Sequence, residues 1–73
     1  MDFETAKKLH DQAIVAIEEL NKLTLILQEC EISQEDHDLL HRGIGCSIGE
    51  IQMSIVEPLY QHHPVLFHQD FPE

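Results

Sequence analysis

The chain is short of cations. Lys7, Lys8, Lys22 and Arg42 stand against 14 acidic residues, giving a formal net charge of -10. Nucleic-acid affinity comes mostly from Lys and Arg contacts that release counterions, and an anionic bilayer attracts the same groups. Neither nucleic acid nor membrane is therefore expected as a partner. No apolar run approaches the ~18 residues of a membrane span. Aromatics are scarce too, with three Phe, one Tyr and no Trp. The two cysteines, Cys30 and Cys46, have no companion spacing, and the N-terminus is acidic and amphipathic rather than basic and then apolar. The expected compartment is thus a reducing cytoplasm, with both thiols free.

Size removes further classes. At 73 residues the chain is one small domain, whose lone core is marginal without metal, disulfides or oligomerisation. Phosphate-cradling loops are missing: Gly43, Gly45 and Gly49 fall within a helical pattern, with no preceding strand and no Lys beside them. Cys46 has nothing nearby to activate it, and Cys30 sits towards a helix C-terminus, the end that disfavours a thiolate. Glu18-Glu19 and Glu35-Asp36 read as a solvated face and a helix start. No enzyme and no cofactor are expected.

What is present is helical periodicity. Ala6, Leu9, Ala13, Ala16, Leu20, Leu23, Leu27 and Cys30 step by threes and fours, with no Pro or Gly among them. With Asp2 as N-cap, this predicts a first helix over about 3–31. Ile32-Ser33-Gln34-Glu35-Asp36 then reads as a fresh start, with Ser33 as cap, acidic residues in the first turn and Ile32 placed for a staple against His37. A second seam of Leu40, Ile44, Ile48, Ile51, Ile55 and Leu59 predicts a helix over about 34–57, extending to 62 if it passes Pro58. So short a linker forces an antiparallel hairpin over 1–62. Folding the sequence about its turn sets Leu23 against Leu40, Leu20 against Ile44 and Ala13 near Ile51. It also sets Ile17 and Ile14 over Gly45 and Gly49, read as notches that let the backbones approach. From Gln61 the pattern dissolves; Pro64 and Pro72 predict an irregular, extended tail over 63–73. Its Val65, Leu66, Phe67 and Phe71 are apolar enough to require docking near Phe3 or on a second subunit.

One hairpin does not cover the apolar surface that this pattern carries. Ile14, Ile17 and Ile26 widen the stripe of the first helix, and Leu39, Met53 and Val56 that of the second. Six such side chains left wet would forgo on the order of 1.5–3 kcal/mol each. The expected closure is a twofold homodimer, making an all-α four-helix bundle with Ile14, Ile17, Ile26, Gly45, Gly49, Met53 and Val56 at the interface. A protein partner with a basic or apolar surface is the rival closure. The function this implies is a small acidic, non-catalytic interaction module of adaptor, chaperone or inhibitor type.

The six histidines hold the alternative. His37 and His41 are one helical turn apart, the spacing by which a helix presents two imidazoles to a metal, and Cys30 near the turn could supply a third ligand. The sequence lacks the Glu that follows the first His in metalloprotease helices, so the chemistry would be binding or sensing rather than hydrolysis. His62, His63 and His68 read as a polar terminus, and His10 as a side chain reaching past the core to water.

Overall fold

The computed structural model describes residues 1–73, and every regular element in it is helical. The first helix, α1 (Phe3–Glu29), starts where Asp2 accepts the amide of Thr5 at 2.8 Å. It stops at Glu29, two residues before the predicted end, because Cys30 turns to extended backbone (φ −85°, ψ 139°). Helix α2 (Gln34–Ile51) starts at Ser33, whose Oγ accepts the amide of Asp36 at 3.1 Å, with Glu35 and Asp36 at the positive helix end.

Pro58 neither ends the second rod nor leaves it regular. It has no amide for the carbonyl of Ser54, and its ring crowds that carbonyl. The chain widens instead: Gln52–Val56 forms a π turn, with the amide of Glu57 donating to the carbonyl of Gln52. Helix α3 (Glu57–His62) then carries the rod onward. The break comes at His63 (φ −138°, ψ 82°), the residue that Pro64 excludes from helical geometry.

The tail is where the sequence reading needs correction. Pro64–Asp70 is a helix, α4, and not an irregular extension. Proline is tolerated in a first helical turn, where its missing amide has no acceptor to lose, so Pro64 starts the element that it was expected to prevent. Leu66 is wholly buried, while Phe67 and Phe71 stand one turn apart and both contact the Tyr60 ring, at centroid distances of 5.4 and 6.5 Å. Phe3 meets His63 edge to face at 5.6 Å, so all four aromatic residues gather at this end.

The core sits there too. Ala6, Ala13, Val56, Leu59, Tyr60 and Leu66 form one buried cluster, with Ile14, Ile17 and Ile51 packed against it. Only 8 of 73 residues are buried, and the radius of gyration is 15.1 Å where a compact chain of this length would have about 11 Å. The molecule is a rod, 47 Å in its longest dimension, closed at one end. No helix is long and apolar enough to cross a membrane.

Candidate functional site

The seam residues are not buried as a filled core would bury them. Leu9, Leu23, Leu40 and Ile55 retain 49, 46, 51 and 45 % of their surface. Two rods touch along a line, so these four side chains are covered on one flank and wet on the other, while Ala6, Ala13, Leu27 and Leu59 of the same seams are buried. The result is two open apolar grooves. One is lined by Leu9, Ala13, Ala16, Ile51 and Ile55, with Gln12 at its edge. The other lies near the turn, lined by Leu23, Ile26, Leu27, Cys30, Leu40 and Ile44. Each has a volume of about 270 Å³. Ala13 and Ile51 line the first groove together, and Leu23 and Leu40 the second.

The predicted interface residues divide. Ile26 and Met53 are exposed, at 57 and 72 %. Ile14 and Ile17 are half-buried against the core of their own protomer. Val56 is wholly buried in that core, clustered with Ala6, Leu59, Tyr60 and Leu66, and so is not available to a partner; the periodicity does not anticipate the π turn that carries it. The glycine notches are corrected as well. A Cβ built on Gly45 or Gly49 would meet no atom within 4 Å, so the isoleucines opposite do not press into them. Ile14 and Ile17 lean towards the core cluster instead.

His37 and His41 stack face to face, with centroids 6.0 Å apart and planes at 10°. Nδ1 of His37 is buried without a hydrogen-bond partner, and the Asp38 carboxylate lies 3.7 Å away. Cys30 does not join them: its Sγ donates to the carbonyl of Ile26 at 3.2 Å, and no group of three or more His, Cys, Asp or Glu side chains is arranged to hold a metal ion.

The most constrained polar cluster lies elsewhere. His10, expected to reach water, is 2 % exposed. Its Nε2 lies 2.6 Å from Oδ2 of Asp70, and its Nδ1 2.9 Å from Oδ1 of Asp11. The Tyr60 hydroxyl donates to the same Asp70 oxygen at 2.5 Å. A carboxylate only accepts, so both contacts of His10 are satisfied together when both ring nitrogens carry protons. Burial works against that charge, yet the hydrogen bonds to Asp11 and Asp70 outweigh it and the imidazole pKa is raised. The bond from His10, assisted by Lys7 at 3.3 Å, holds the Asp11 carboxyl below its ordinary value. Burial and then the Asp70 carboxylate push the Tyr60 phenol well up.

A sequence signal for His10 exists in retrospect. Ala6, His10 and Ala13 step by four and three, which places the imidazole on the apolar face of α1 between two alanines small enough to admit another helix. Asp70 and Tyr60 carry no such signal, because their partner is distant in sequence. Comparison with known protein families, with curated proteins and with solved structures found no match for the chain.

Proposed function

We propose that the protein is a small, acidic, non-catalytic interaction module whose two rods form an antiparallel hairpin and pair with a second copy as a four-helix bundle. The observation that supports this reading is the open apolar seam: Leu9, Leu23, Leu40 and Ile55 remain about half wet along a rod closed at only one end. Covering what remains of each is worth on the order of 1 kcal/mol, and a twofold pair gains it twice. The acidic outer surface then stays free for a partner with a basic or apolar face.

Sedimentation equilibrium at micromolar concentration tests the proposal. The expected particle has twice the 8.4 kDa chain mass, and Leu23→Glu with Leu40→Glu should return it to a single chain. A folded wild-type particle of 8.4 kDa would overturn the proposal.

The stacked His37–His41 pair, with its unpartnered Nδ1, supports a second reading as a metal-binding or metal-sensing protein. Two imidazoles leave positions open, so the remaining ligands would come from water, from a second copy or from a rearranged Cys30. Zinc titration monitored by thermal melting and Cys30 reactivity tests it; wild type and His41→Ala responding alike would remove it.

A further inference from the structure

The polar side-chain contacts that tie α4 to the rest of the chain all pass through one residue. Asp70 receives Tyr60 from α3 and His10 from α1, while nothing else on α4 makes an ion pair beyond its own helix. The groups facing His10 are few. From α1 it meets Asp11, itself paired with Lys7; from α4, Asp70; from α3, the Tyr60 ring at 5.9 Å, with Glu57 as the further charge that bears on that phenol. The π turn contributes Val56 to this end of the core and carries no ionisable side chain.

We infer that α4 is a pH-released cover, clasped to α1 while His10 is an imidazolium bridging Asp70 and Asp11, and freed when that proton is lost. The imidazolium gives one N–H to each carboxylate. A neutral imidazole has a single N–H, so it serves only one of the two carboxylates, and a bond it keeps to Asp70 is no longer assisted by a cation. Asp11 and Asp70 also lose the cation between them in a chain already at -10. The Tyr60 hydroxyl remains a donor to Asp70 across this range, because burial and Asp70 push its own ionisation upward. It is the constant part of the clasp, and His10 the variable part. His63 supplies the hinge, being the one non-helical residue between α3 and α4. Release bares Leu66, Val56 and Tyr60, an apolar face separate from the seam grooves.

Amide hydrogen exchange on the full chain, from about pH 5.5 to about pH 9 and corrected for intrinsic rates, tests this against the NMR titration of the His10 ring. The expected result is that the opening constant of the Val65–Asp70 amides rises as the ring loses its proton. The rise is tenfold for each pH unit separating the ring's titration in the closed and open states. Amides of Leu23, Leu27 and Leu40, beside the groove near the turn, should not follow. His10→Gln, which keeps a hydrogen-bonding side chain with no proton to lose, should hold one opening constant throughout. Wild-type α4 amides that stay flat while His10 titrates would overturn the inference, whether or not the variant folds. All the contacts involved lie within one protomer.

Discussion

Asp70, on the last helix, lies 2.6 Å from the buried Nε2 of His10 across 60 positions of sequence, and the same carboxylate oxygen accepts the Tyr60 hydroxyl. This one oxygen joins α1, α3 and α4. It converts a stretch that local pattern leaves as a tail into the lid of the core.

Tyr60→Phe removes a hydrogen bond donated to a carboxylate and leaves the ring contacts with Phe67 and Phe71 in place. The expected cost is about 1.5–3 kcal/mol in urea unfolding, with an unchanged m-value. A cost near zero would mean that the hydroxyl is as well served by water.

Stability should depend on pH from both sides. The His10 pKa is raised above 6.5, so its contribution is fully present below 6.5 and is lost as pH rises through the raised value. Asp2 and Asp11 are lowered from 3.8, the first by the Thr5 amide and the second by His10. Their contribution is present above 3.8 and is lost as pH falls through the lowered values. Urea midpoints should therefore plateau between these limits and fall on either side. His10→Gln should abolish the alkaline fall and leave only the part of the acid fall that comes from Asp2, because the Asp11 carboxyl is held down mainly by His10.

Gly45→Ala and Gly49→Ala should each raise stability by about 0.5–1 kcal/mol, because a methyl at either position meets nothing within 4 Å and alanine favours the helix. Thermal melting at low protein concentration checks this. A loss of stability that grows with concentration would place a close neighbour on that face.

Leu66→Ala and Leu39→Ala separate core from surface. Leu66 is wholly buried and should cost about 2–5 kcal/mol, whereas Leu39, mostly exposed, should cost less than about 0.5 kcal/mol. Equal costs in urea unfolding would contradict the placement of the core beneath α4.

Sequence alone determined the all-helical class and the starts of α1 and α2. Asp2 and Ser33 cap because their side chains reach amides three residues on. These are local interactions, complete within a turn or two of chain. Only the tertiary structure decided that Pro64 opens a helix, that Val56 lies inside, that the glycines face open space and that His10 is buried as a bridge between two carboxylates. Each of these depends on what lies across the molecule. The desolvation of an imidazole, or the gap beside a glycine, is set by neighbours far away in sequence, and no residue spacing records them.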